Sequence, residues 1–229
     1  MFEKALRFMV VSCLLLLAGA CSAVEQVLAP GQSPAQGYRY LELLLEEDFA
    51  DGGAWRNYAA DELFLGVEDG AYKIDFTGRK YVWTQGDAHY TDVVVEADFE
   101  QNSDYDHNAF GLACRLDPAN SGRGYTFLIS GDGYASIRWS NGRSLKPIVA
   151  ARPSARVNRG EASNRVRAVC VGDYLALWVN DEFVVEARDR RASAGAVGLV
   201  AVMNYAGQRL TVTIDDLKLW RAAPDDRGP

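Results

Sequence analysis

From Tyr38 onward, apolar residues recur at every second position rather than about every 3.6, and Gly, Asn and Asp interrupt them at strand-length intervals. This alternation predicts strands over Leu41 to Glu46, Ala71 to Phe76, Asp92 to Glu100, Asn108 to Leu116, Gly124 to Ser130 and Tyr134 to Trp139. It predicts further strands over Arg165 to Val171, Tyr174 to Asn180, Phe183 to Ala187, Val197 to Met203 and Thr211 to Trp220. Hairpin turns are marked by Gly131, Asp132 and Gly133, by Gly172 and Asp173, and by Asn180 and Asp181. Only Leu41 to Phe49 also fits a helix, and Gly52 and Gly53 would end it early. No repeat of fixed period is present, which argues against a propeller or solenoid. The expected fold is all-β, a two-sheet antiparallel β-sandwich.

The same alternation assigns faces. Val93, Val95, Ala97 and Phe99 point one way, and Val94, Glu96, Asp98 and Glu100 the other, toward solvent or a ligand. Leu175, Leu177 and Val179 read as core, which leaves Tyr174, Ala176 and Trp178 on an outer face. Tyr134 and Arg138 likewise lie opposite Ile137 and Trp139.

Ahead of this pattern, Lys4 and Arg7 precede an apolar run from Phe8 to Leu17, too short to span a bilayer as a helix and typical of a secretion signal. The sequence LAGAC ending at Cys21 resembles the lipobox of bacterial lipoproteins, in which the Cys becomes the lipidated first residue. It departs from that pattern by carrying Ala18 where Leu is preferred, and an ordinary Ala-x-Ala cut before Cys21 is the alternative. Either cut exports the chain. Pro30, Gly31, Ser33, Pro34 and Gly37 then suggest a flexible tether. The layout expected is a signal over 1–20, a tether over 21–37, the sandwich over 38–221 and a disordered tail over 222–229.

Composition narrows the function. With 24 basic against 31 acidic residues the chain carries a formal charge of -7, which disfavours double-stranded nucleic acid as a partner. The 48% hydrophobic content is enough to fill a single core. Of four cysteines, Cys13 leaves with the signal and Cys21 is the candidate lipidation site, so Cys114 and Cys170 remain as a disulfide pair in an oxidising compartment or as two buried thiols. No CxxC spacing exists, and His89 and His107 lack partners of the zinc type.

Five segments carry a family resemblance: EDFADGGAW, VEDGAYKI, GYTFLISGDGYASIRW, NRVRAVCVGDYLALWVNDEFV and VGLVAVMNYAGQRLTVTIDDLKLW. In this order they resemble the concanavalin A-like lectin/glucanase jelly rolls, which include laminin G-like modules and 3-keto-disaccharide hydrolase domains. They look most like exported lipoproteins of this type in filamentous bacteria, for which a Cys114–Cys170 pair is also expected. The resemblance implies a jelly roll from about Glu47 to Trp220 and says little about activity.

Four constellations could carry chemistry. Glu96-Ala97-Asp98-Phe99-Glu100 resembles the E-x-D-x-E strand of family 16 glycoside hydrolases, which would make Glu96 the nucleophile, Glu100 the acid/base and Asp98 the residue that tunes them. A solvated acidic face is the plainer reading. Between Arg138 and Arg167, the basic residues Arg138, Arg143, Lys146, Arg152, Arg156, Arg159, Arg165 and Arg167 stand against the single acid Glu161, in a stretch that reads as mostly loop from Asn141 to Asn164. Arginine forks suit carboxylates, sulfates and phosphates, so an anionic glycan or envelope polymer is a candidate ligand. Tyr134, Arg138, Tyr174 and Trp178 offer flat rings and a polar neighbour for stacking on sugar; on this reading Trp178→Ala abolishes glycan retention. A structural Ca2+ could be held by Asp48 with Asp215 or Asp216, or by Asp104 and Asp106 beside Asn102. The reading that unites these features is an envelope-anchored, lectin-like binding module without catalysis; a hydrolase and a structural or protein-binding lipoprotein are the alternatives.

Overall fold

The computed structural model describes residues 34, 37–50 and 55–225. The signal, most of the tether including Cys21, and residues 226–229 lie outside them. Fifteen strands make up the described chain: β1 Tyr38–Glu47, β2 Tyr58–Ala60, β3 Leu63–Glu68, β4 Ala71–Thr77, β5 Lys80–Gln85, β6 Val93–Gln101, β7 Asn108–Leu116, β8 Arg123–Ile129, β9 Tyr134–Asn141, β10 Leu145–Pro153, β11 Ser163–Val171, β12 Tyr174–Val179, β13 Glu182–Arg188, β14 Ala196–Met203 and β15 Arg209–Pro224. They form two antiparallel sheets. One has nine strands in the order β13-β12-β11-β6-β15-β4-β3-β2, with β1 also on β15; the other has six, in the order β10-β9-β8-β7-β14-β5.

The chain alternates between the layers, and its alternating apolar residues meet in one core. From the nine-stranded sheet, Val93, Val95, Ala97, Phe99, Leu175, Leu177 and Val179 enter it; from the six-stranded sheet, Phe110, Leu112, Phe127, Ile137 and Leu199 do. Both inward sets expected on β6 and β12 are therefore in place. A disulfide between Cys114 on β7 and Cys170 on β11 joins the two sheets through this core.

The turns follow from residue type. Asn180 and Asp181 both take positive φ, 52° and 63°, the pairing a two-residue hairpin requires between right-twisted strands. On β7, Gly111 has φ 152°, and a Cβ there would sit 2.1 Å from the Phe127 carbonyl oxygen, so this central strand needs a bare backbone where β8 comes closest.

Four strands, β2, β3, β5 and β10, were not expected. The loop expected between Asn141 and Asn164 contains β10, which pairs with β9 at the sheet edge. Its Pro147 costs nothing at an edge, where one side of the backbone has no neighbour to bond. The helix that Leu41 to Phe49 could have formed is instead β1. Within the tail expected over 222–229, Ala222, Ala223 and Pro224 instead continue β15 opposite Tyr40, Arg39 and Tyr38.

Candidate functional site

The four residues expected to bind ligand are divided between the two sheets. Tyr174 and Trp178 lie on the outer face of the nine-stranded sheet, whereas Tyr134 and Arg138 lie on the outer face of the six-stranded sheet.

On the nine-stranded sheet the alternation was right, but the outer face is not open. Tyr38, Phe183, Trp178 and Trp220 pack there around Val94, Val169, Val171, Tyr174, Ala176 and Ala222. Tyr174 is only 1% exposed, and its hydroxyl donates to Glu186 Oε2 at 2.7 Å. Burial, with the adjacent Glu186 carboxylate, pushes that hydroxyl well above the ordinary tyrosine range. Trp178 is half-buried, with its ring edge-on to Phe183 and facing the Arg167 guanidinium. Neither ring is the free sugar platform that alternation alone implied. The cause is β1, which follows the C-terminal half of β15 and brings Tyr38 and Tyr40 alongside Trp220.

The acidic strand is likewise occupied. Antiparallel pairing of β6 with β11 sets Glu96 opposite Arg167 and Asp98 opposite Arg165. Arg167 donates to Glu96 Oε2 at 2.5 Å and to Asp181 Oδ1 at 2.6 Å; Arg165 makes a two-pronged contact with Asp98, both bonds 2.8 Å. Asp98 and its neighbours hold the Arg165 guanidinium above its ordinary value. A retaining pair needs two carboxylates about 5 to 5.5 Å apart and free to give or take a proton. Here Glu96 and Asp98 serve as cross-strand ion-pair partners, and Glu100 is exposed opposite Ser163. On this acidic face Glu96 and Asp98 meet arginines, while Glu100 meets solvent.

The groove lies on the other layer. It occupies about 620 Å3 across the outer face of the six-stranded sheet, within the range of clefts that take small ligands. Its floor is made of short or buried side chains, one per strand: Val202 from β14, Ala109 from β7, Leu128 from β8 and Ser136 from β9. At the other end of the same face, the loop at 117–123 leans on Tyr81 and Trp83. Trp83 Nε1 donates to Asn120 Oδ1 at 2.9 Å and the Tyr81 hydroxyl to the Gly122 carbonyl at 3.3 Å. The groove is thus the part of the face that this loop leaves uncovered.

Exposed tyrosines line this opening. Tyr134 at the start of β9 is 39% exposed, and Tyr205, just after β14, is 50% exposed. Tyr205 stands edge-on to Tyr105 and close to His107, whose Nδ1 lies 2.8 Å from Asp132 Oδ2. Tyr134 was legible from alternation. Tyr205 was not: it sits in a turn, and only the fold brings that turn beside β7 and β9.

Charge sharpens the picture. Arg79, Lys80, Arg138 and Arg143 line the groove against one acid, Asp132. The Lys80 ammonium is taken up by the Thr77 and Glu62 carbonyls and the Glu62 carboxylate. Arg138 is half-buried; burial lowers its guanidinium pKa from the ordinary arginine value, and its one side-chain bond among the described residues runs from Nε to Ser136 Oγ at 3.1 Å. Of the rest of the basic stretch, Arg156, Arg165 and Arg167 are paired with acids, while Lys146, Arg152 and Arg159 lie outside the groove.

Among the described residues no three His, Cys, Asp or Glu side chains come close enough to hold a metal. Asp48 caps its own turn through the Ala50 amide, and Asp215 accepts from the Asp216 amide beside a bulge in β15. Asp106 accepts from Gln101 and Asn102 from Thr213.

Comparison with known proteins places this architecture. No protein-family model matches the chain, and no curated protein matches it. Solved structures do. The carbohydrate-binding module CBM66 from Bacillus subtilis is similar at 17% identity over 74% of this chain and 97% of its own, with a TM-score of 0.58. A Bacillus subtilis protein of unknown function with a galectin-like fold matches at 13% identity over 81% and 99%, with a TM-score of 0.60. The Bacillus licheniformis β-glucanase matches at 8% identity over 83% and 99%, with a TM-score of 0.55. The fold is the jelly roll of the galectin-like and concanavalin A-like modules.

Proposed function

We propose that this chain is an exported glycan-binding module, tethered to the bacterial cell envelope by lipid on Cys21, which takes carbohydrate into the groove of the six-stranded sheet without catalysis. The observation that carries this reading is the groove itself: a floor of short or buried side chains, with exposed Tyr134 and Tyr205 beside it. Sugar rings present flat C–H faces to such tyrosines, and Ser136 and Arg138 supply the hydroxyl and guanidinium that orient a polyhydroxylated ligand. Similarity over nearly the whole length of a carbohydrate-binding module supports the same reading.

A glycan array on the purified protein tests it. Tyr134→Ala and Tyr205→Ala each weaken retention of the bound glycan by roughly fivefold, corresponding to about 1 kcal/mol for a lost ring contact. Trp178→Ala leaves retention unchanged, the opposite of what alternation alone would suggest. Loss of binding in Trp178→Ala with full binding in the tyrosine variants would move the site to the other sheet. The tether is tested separately: Cys21→Ser releases the protein from the membrane fraction, and a variant that stays membrane-bound contradicts lipid anchoring.

A further inference from the structure

We propose that the groove selects an acidic glycan, one whose sugar rings carry carboxylate or sulfate groups, and that Arg138, with Arg143 and Arg79, receives the anion. This rests on the glycan-binding reading and narrows its ligand class.

The chain has an excess of acids, and Arg115, Arg156, Arg165, Arg167, Arg190 and Arg209 each meet a carboxylate. Among the described residues, no carboxylate pairs with the three arginines of the groove. Arg79 gives its Nε–H to the Asn204 carbonyl at 2.9 Å, and Arg138 gives its own to Ser136. Among the described residues, neither guanidinium has a further hydrogen-bond partner. Asp132, the one acid at the site, is engaged by Ser130 and His107. Arg56, Arg152 and Arg159, outside the groove, likewise make no salt bridge among the described residues; what sets the groove apart is that three such arginines line one opening.

Partial burial makes this costly for Arg138. A guanidinium drawn from water without a counter-charge is unfavourable, and a bound anion recovers that loss. Arg138 sits on a central part of β9, whose neighbours β8 and β10 hold the backbone in place, so its fork is presented rather than searched for. Planar forks match carboxylates with two parallel bonds and sulfates with one or two. Arg143, exposed just past the end of β9, adds a second positive charge in the same groove. The tyrosines hold the ring while the arginines read its charge.

The test is calorimetric titration of the purified protein with three probes: an oligogalacturonate carrying carboxylates, a sulfated dextran oligosaccharide, and unmodified dextran of the same length. At least one acidic probe is expected to bind roughly tenfold or more tighter than the neutral one, with affinity falling as NaCl rises from about 50 to about 300 mM. Arg138→Gln and Arg143→Gln each reduce acidic binding by roughly tenfold and bring it toward the neutral level. Arg156→Gln, on an ion pair outside the groove, leaves it unchanged. Arg138→Lys separates the two anions: a point charge retains much of a sulfate's affinity and loses the two-pronged hold on a carboxylate. Arg143 is exposed, so its variant stays informative if Arg138→Gln folds poorly. Preference for the neutral sugar, with binding still sensitive to Tyr134→Ala, overturns the acidic inference and leaves the glycan reading standing. Acidic binding unaffected by both glutamine variants overturns the assignment to this groove. Failure of all three probes and of a wider glycan array overturns the glycan reading itself.

Discussion

Reducing the bond between Cys114 and Cys170 is expected to lower the midpoint of thermal unfolding by roughly 8 to 16 °C. The bond spans a sequence separation of 56 and staples β7 of one sheet to β11 of the other, so it restricts the unfolded chain across about a quarter of the protein. On the chain-entropy account such a loop contributes about 4 kcal/mol, and a domain of this size shifts by roughly 2 to 4 °C for each kcal/mol. Both cysteines are fully buried in the shared core, so reductant alone acts slowly on the folded state. Scanning calorimetry of the Cys114→Ala, Cys170→Ala double variant beside the reduced protein gives the comparison. An unchanged midpoint in both would contradict the stapling role.

The second large effect concerns the groove. Ala109→Trp places an indole on its floor, directly across from Val202 of β14, where only a methyl group now stands. The ring fills the space a sugar would occupy, and glycan affinity is expected to fall by roughly a hundredfold, while stability changes by no more than about 1 kcal/mol because the side chain points out of the core. Calorimetric titration against the wild type, with thermal unfolding as the folding control, reads both. Binding that survives with the fold intact would mean the ligand sits elsewhere. Glu96→Gln serves as the counterpart, expected to leave affinity untouched because its carboxylate is spent on Arg167.

Much of the architecture was legible because burial imposes a period of two on a strand with one face in a core. Val93 to Phe99 and Leu175 to Val179 show this: their inward sets follow directly from the spacing. What alternation does not carry is the cover on an outer face. Tyr174 and Trp178 were correctly turned away from the core, yet the β1–β15 pairing, formed by residues far apart in sequence, fills the space above them with Tyr38 and Trp220. The acidic strand is tied into ion pairs for a related reason. Its register against β11 pairs Glu96 and Asp98 with arginines that the sequence had grouped into a separate basic stretch. The groove was half visible: Tyr134 and Arg138 follow from alternation on β9, whereas Tyr205, Ala109 and Val202 join them only through the order of strands in the six-stranded sheet. Edge strands such as β10 escaped because Pro147 and exposed charges blur the pattern where only one neighbour is present.

The central claim is the location of the binding surface, and titration of 15N-labelled protein with a bound oligosaccharide tests it most directly. Amide shifts are expected at Ala109, Leu128, Ser136, Arg138 and Val202, with little change on the opposite layer. Shifts concentrated instead at Glu96, Arg167 and Trp178 would contradict the account.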